Sequence, residues 1–323
     1  YGTSILPNIT YYNVNTTSIT TINGTVSKRV VSIHVDTAIS SFTVEIGLAP
    51  TWLSDGTYYS ADGVHFYTDM DLNNPVMNGS SVGTYYNYYQ YLSLRSKTQY
   101  TGAELDAYFS YFAALNPTYL SKDIQVSTMK TQGVSFVNAQ NNYGMNALLI
   151  YAMAIHESAY GTSTYATSYN NLFGYGAYDS NPNNAANYNY TSVADGVNQH
   201  MGLNLRNYLD YSNYSTSTNN SLFYASNIGS KGAGINTRYA SDPWWSLKIA
   251  GWAFKVDRYL GFKDFDYYQI GILSDSSRTV YKNSQLTTSA YSVDARATDY
   301  PYVIHSSYNN TYYTYSTNPI ADD

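Results

Sequence analysis

The chain has 323 residues, 44% of them hydrophobic, enough to bury a sizeable core in one or two domains. Charged residues make up only 12% and the net charge is −6, which gives no broad basic field for nucleic acid or an anionic membrane surface. No cysteine is present, which excludes disulfides and thiolate metal sites, and no apolar run reaches the ~18–20 residues that span a bilayer. There are 40 tyrosines beside abundant Asn and Thr, so much of the apolar surface ends in a hydroxyl. Rings stack on sugar faces and amides meet sugar hydroxyls, which makes a neutral carbohydrate the natural ligand class. Tyr1 is not an initiator methionine, and the chain reads as a processed or excised fragment.

The first 48 residues are rich in Thr, Ser, Ile and Val, with alternations such as Val30 to Val35 and Phe42 to Ile46 that read as strands. Asn23-Gly24 between them is a hairpin turn. Two Asp-Gly pairs, at 55–56 and 62–63, bracket aromatic runs and predict a compact antiparallel meander. Its plain reading is a packing module without chemistry; peptide or glycan binding is the alternative. The aromatic stretch GTYYNYYQY follows at 83–91, and β-rich territory gives way to helices near residue 95.

Thr101-Gly-Ala-Glu104 has the form of a capping box and opens a helix over Leu105 to Leu115, which Asn116-Pro117 ends. A second helix is expected over Thr128 to Asn141. The stretch Asn146 to Ser163, NALLIYAMAIHESAYGTS, is apolar nearly all round, so its helix belongs inside a domain. Ile150, Met153, Ala154 and Glu157 fall at i, i+3, i+4 and i+7, so the carboxylate continues one apolar stripe, and Gly161 offers a left-handed stop. Such a helix delivers one acid to its own end, as a catalytic site at a cleft edge requires; the alternative is a helix-end Glu turned to solvent.

Beyond Glu157, residues 170–182 have turn chemistry for a hairpin or an irregular lobe. Val193, Val197, Met201 and Leu205 recur at helical spacing, in a helix from Thr191-Ser192 to about Leu209. Residues 212–236, polar and then glycine-rich, read as a long mobile loop. Asp242-Pro243 reads as an N-cap with proline at the first helical position, opening a helix that runs to Leu260 and stops at Gly261. Residues 274–323, with Tyr300 to His305 in an extended pattern, are strands or a tether to a downstream module.

Three motifs in order, ALLIYAMAIHESAYGTS, NNLFGYGAYDSNP and RYASDPWW, resemble the autolysin-type endo-β-N-acetylglucosaminidases, the family 73 glycoside hydrolases that cut bacterial peptidoglycan. The resemblance spans roughly residues 100–262. It implies an α+β chain with a lysozyme-like, mainly helical catalytic domain and a small β lobe, preceded by a β-rich N-terminal module, with boundaries at 1–95, 96–273 and 274–323. It also implies secretion to a cell wall, a monomer, peptidoglycan strands as the partner, and no cofactor. Carried over by position, Glu157 matches the catalytic acid. Asn171, Phe173 and Gly174 match the NLFG segment that shapes the cleft. Tyr239 and Asp242 match the YATDP-type motif, here YASDP; the tyrosine lines the site and the aspartate reads mainly as an N-cap.

Glycosidic cleavage needs an acid for the leaving oxygen and a second group for the sugar carbon. Glu157 is the expected proton donor. Asp179 and Asp195 are the acids near the motifs for the second role, although Asp179 also suits an Asx turn and Asp195 a helix N-terminus. The substrate's own acetamido group is a third route. Of the tyrosines around the motifs, Tyr239 and Tyr178 are expected against sugar. His156-Glu157 opens like H-E-x-x-H, but the position four after His156 is Tyr160, which rules out that zinc motif. The rival functions are a muramidase or lytic transglycosylase of the same fold, and a wall-glycan binding protein without turnover.

Overall fold

The computed structural model describes residues 10–37, 41–176, 184, 187–210, 222–273, 278–283, 285–293, 300–308 and 311–314. The chain divides into two compact units, 1–88 and 89–323.

In the first unit, strands β1 (Tyr11–Thr21), β2 (Gly24–Asp36), β3 (Ser41–Leu48) and β4 (Gly56–Tyr58) form one antiparallel sheet in the order β3-β2-β1-β4. Thr21 pairs with Gly24, so the hairpin loop is Ile22-Asn23, and Gly24 (φ 121°) takes the first strand position rather than a turn position. Alternation puts Tyr12, Val14, Val31, Ile33 and Val35 inside. Phe66, fully buried, closes this core with its ring 4.8 Å from Tyr12 and 5.5 Å from Tyr85.

The second unit is built on helices α1 (Gly102–Leu115), α2 (Gly133–Tyr143), α3 (Ala147–Ser158), α4 (Thr164–Tyr169), α5 (Val193–Asn207) and α6 (Trp245–Leu260). The capping box at Thr101 and Glu104 forms as the sequence predicts. Helix α2 starts at Gly133, not near Thr128, because Thr131 takes a left-handed backbone (φ 59°) that a helix cannot pass through; its first turn then meets Gly102 so closely that a Cβ at Gly133 would lie 2.1 Å from the Gly102 carbonyl oxygen. On α5 the predicted stripe Val193, Val197, Met201 and Leu205 is buried. The loop reading for 212–236 falls partly outside the described residues; from Leu222 onward the chain returns to pair at Ser93–Asn227.

Strands β5 (Gln269–Leu273), β8 (Tyr300–Tyr308) and β9 (Thr311–Thr314) make an antiparallel sheet in the order β9-β8-β5, while β6 (Arg278–Tyr281) pairs with β7 (Ser289–Val293). Tyr300 and Tyr302 bury against Phe223 and Ala225, so this stretch of the C-terminal region is strand. Mixed helix and antiparallel strand is therefore the fold class.

Helix α3 runs through the centre of this unit. Every residue from Ala147 to Ile155 is fully buried, as an all-round apolar sequence demands. Its start is held by polar side chains: Asn146 Oδ1 accepts the Leu149 N–H at 3.0 Å, and Gln140 Oε1 accepts the N–H groups of Ala147 (2.8 Å) and Thr98 (2.9 Å). Its stop comes two residues before the expected glycine. Ala159 (φ 49°), Tyr160 (φ 58°) and Gly161 (φ 73°) are all left-handed. The strain of two non-glycine residues there is offset by Tyr160, whose ring stacks on Phe112 at 3.7 Å and whose hydroxyl meets that of Tyr108 at 2.8 Å.

At the far end of α6, Asp257 and Asp264 lie buried. Asp257 accepts hydrogen bonds from the Tyr89 hydroxyl (2.6 Å), the Tyr100 hydroxyl, and the N–H groups of Asp264 (3.1 Å) and Phe265 (2.9 Å). One carboxylate thus ties three distant segments. Asp257→Ala removes the shared carboxylate acceptor of those four donors and is expected to cost on the order of 3–5 kcal/mol in urea unfolding; a loss below about 1 kcal/mol would show that water replaces the carboxylate.

Candidate active site

Glu157 stands on the last turn of α3, half-buried, where the helix leaves the core. Helix α3 packs on α6, with its C-terminal end beside the α6 N-terminus, and this places Trp245 against the acid. The Trp245 indole N–H donates to Glu157 Oε1 at 2.6 Å. Burial pushes the Glu157 carboxyl up to about 7; the Trp245 bond opposes this and the nearby Asp242 charge reinforces it.

Asp242 is not an N-cap. Helix α6 begins at Trp245, with Trp244 in the cap position, because Asp242-Pro243 forms a turn of its own before the helix. Asp242 Oδ1 accepts the Trp244 N–H at 2.8 Å, and Oδ2 pairs with Lys248 Nζ at 2.7 Å. His156, next to Glu157 but about 100° around the helix, is held neutral: burial and then the Lys248 charge push its pKa down to about 4.

An aromatic wall runs from the NLFG segment to the acid. Phe173 stacks on His200 with centroids 3.5 Å apart and planes at 4°. His200 meets the Tyr239 ring edge-on at 6.2 Å, and Tyr239 packs on Trp245 at 4.7 Å. Burial, followed by the neighbouring Glu157 charge, pushes the Tyr239 hydroxyl well up. Phe173 and Tyr239, 66 residues apart in sequence, are thus joined through one histidine (239 − 173). His200 and Trp245 were not singled out in the sequence as site residues. Both sit on apolar helix stripes, and nothing in the spacing separates them from ordinary packing.

Asn171 is buried at 1% exposure and closes its own loop: its amide donates to the Tyr175 carbonyl and accepts the Tyr175 N–H, each at 3.0 Å. Gly174 is favoured by its left-handed conformation, φ 58°, and not by lack of space. Asp195 sits in the first turn of α5, where its Oδ2 accepts both the N–H and the hydroxyl of Thr191 at 3.0 Å, while its own N–H binds Ser192 Oγ. Asp179 and Tyr178 lie outside the described residues. Among the described residues the carboxylate whose charge bears on Glu157 is Asp242, and no group of His, Asp or Glu there could hold a metal ion. An open groove of about 570 Å³ has Thr128, Lys130, Gln132, Asn170 and Thr191 in its walls, and the Thr128 N–H is tied to the Gly161 carbonyl at 3.0 Å, just beyond Glu157.

Residues 133–258 match the glucosaminidase family model, described as mannosyl-glycoprotein endo-beta-N-acetylglucosaminidase. Two Streptococcus pneumoniae proteins that bear a provisional endo-beta-N-acetylglucosaminidase assignment are each 32% identical over 207 residues, covering 64% of this chain and 26% and 24% of their own lengths. The chain therefore spans about a quarter of the length of these relatives. Among solved structures, S. aureus Autolysin E aligns with a TM-score of 0.37 at 20% identity, over 54% of this chain and 73% of its own. A catalytic mutant of it in complex with the disaccharide NAG-NAM aligns at 0.38 and 18%, over the same shares.

The electrostatics of the acid can be tested directly. Glu157, followed by carboxyl-selective 13C NMR, is expected to titrate near 7. Asp242→Asn removes the charge that disfavours the anion, so the midpoint should fall; a midpoint that stays or rises would contradict the assigned cause.

Proposed function

We propose, from the match of residues 133–258 to the glucosaminidase family model, that the chain is a peptidoglycan hydrolase acting outside the cell on the wall. It cleaves the β-1,4 bond after N-acetylglucosamine, with Glu157 as the general acid. The observation that carries this reading is a carboxyl at the end of a core helix, held by burial at about 7 and gripped by an indole N–H at 2.6 Å. A group in that state keeps its proton near neutral pH and can give it to the leaving oxygen.

The tyrosine and histidine wall supports a carbohydrate ligand, since Tyr239 is only half-buried and aromatic rings stack on sugar faces. Asp195 is committed to the start of α5 by its two bonds from Thr191. The second half of the chemistry therefore falls to Asp179 or to the acetamido group of the substrate. Inversion at the anomeric carbon assigns it to a carboxylate that activates water. Retention, with turnover lost on N-deacetylated strands, assigns it to the acetamido group.

Glu157→Gln is expected to lower wall hydrolysis ~10²–10⁴-fold while circular dichroism stays native; full activity would sink the assignment. In the native enzyme, activity declines as pH rises through about 7, because the acid loses its proton there. After borohydride reduction the products should carry reduced glucosamine ends. Reduced muramic acid would identify a muramidase, anhydro-muramic ends a transglycosylase, and wall binding with no new reducing ends a non-catalytic protein.

A further inference from the structure

Packing alone does not require an indole at position 245. The side chain is 2% exposed and lies against Tyr239, a place that an apolar ring of similar breadth would also fill. What tryptophan adds is one N–H, and a buried indole N–H needs an acceptor. Its acceptor is Glu157 Oε1, at 2.6 Å, shorter than an ordinary neutral N–H···O contact. The indole is set in place by the Asp242-Pro243 turn: the Trp245 backbone N–H donates to the Asp242 carbonyl at 3.3 Å and the Trp244 N–H to its carboxylate.

We propose that Trp245 is the positioning residue of the acid, reserving Oε1 as the oxygen that does not carry the proton and directing the transferable proton to Oε2. This rests on the reading of Glu157 as general acid. In a neutral carboxyl the carbonyl oxygen is the better acceptor, so the indole selects which oxygen is protonated. As the proton leaves, charge develops on the carboxylate and the N–H···O bond strengthens. The interaction thus favours the state after transfer over the state before it, which is the condition for a gain in rate rather than in binding. The other titratable groups facing Glu157 are Asp242, paired to Lys248, and the Tyr239 hydroxyl; His156 follows on the same helix and is neutral.

The chain has four tryptophans, so 15N-tryptophan labelling yields four indole N–H signals from the unmodified protein. The Trp245 signal is expected to shift with a midpoint near 7 and to stop moving in Glu157→Gln. In Trp245→Phe, kcat on peptidoglycan should fall about 10–100-fold with KM near that of the native chain. Its alkaline limb should move to higher pH, because the bond that favours the anion is gone. An indole signal indifferent to Glu157, or a Trp245→Phe enzyme with native kcat and pH profile, overturns the proposal. If that variant does not fold, the titration in the native chain decides alone. Full activity of Glu157→Gln would remove the general-acid reading and this proposal with it, and is recognised because the indole would still titrate in the native protein.

Discussion

Everything at the site depends on the cost of keeping one carboxyl partly out of water. A charged Glu157 at the end of a helix buried from Ala147 to Ile155 loses hydration, and Asp242 adds a like charge. The carboxyl responds by holding its proton to about 7. The Trp245 N–H opposes this, and it arrives from a helix that begins 88 residues later. Burial sets the acid's strength, and the indole sets its orientation.

The left-handed run Ala159–Gly161 makes that geometry possible. It ends the helix one residue after Glu157 and bends the chain while Tyr160 stays buried, so the acid sits on a last turn instead of inside a longer helix. Tyr160 anchors the run through Phe112, Tyr108 and Trp252. A Cβ at Gly161 would come within 2.8 Å of the Met129 backbone nitrogen, so both conformation and space select glycine there. The tyrosine-rich composition acquires a structural meaning in this region. The rings supply apolar packing, and their hydroxyls satisfy one another or a buried carboxylate, as at Tyr108–Tyr160 and at Asp257.

Buried acids occur at both ends of α6, with different surroundings. Near its N-terminal end, Glu157 accepts from the Trp245 indole among the described residues and stays half-exposed. Past its C-terminal end, Asp264 is also pushed up to about 7 by burial, but the Thr98 hydroxyl and the Gln99 N–H enclose it. The first arrangement leaves an oxygen open to a substrate. The second joins loops and leaves nothing open. Number of donors and access, more than pKa, separate an acid suited to chemistry from one that builds structure.

From sequence alone, the apolar period of the Glu157 helix, the α5 stripe, the capping box and the order of the three motifs could be read, because each depends on residues within a few turns of one another. The same local logic misjudged Asp242, whose Asp-Pro pair suits an N-cap but forms a separate turn that binds Lys248. It also expected the helix to stop at Gly161, since the compensation that allows Ala159 and Tyr160 left-handed backbone comes from Phe112 and Tyr108 on another helix. His200 and Trp245 carried no sequence signal beyond apolar spacing. Their roles exist only once α3, α5 and α6 are packed, because a ring stack and a hydrogen bond across 88 residues are properties of relative position. The sequence determined that a carboxyl stands at the end of a core helix; the tertiary structure decided what surrounds it, since desolvation and orientation are created by contacts between distant segments.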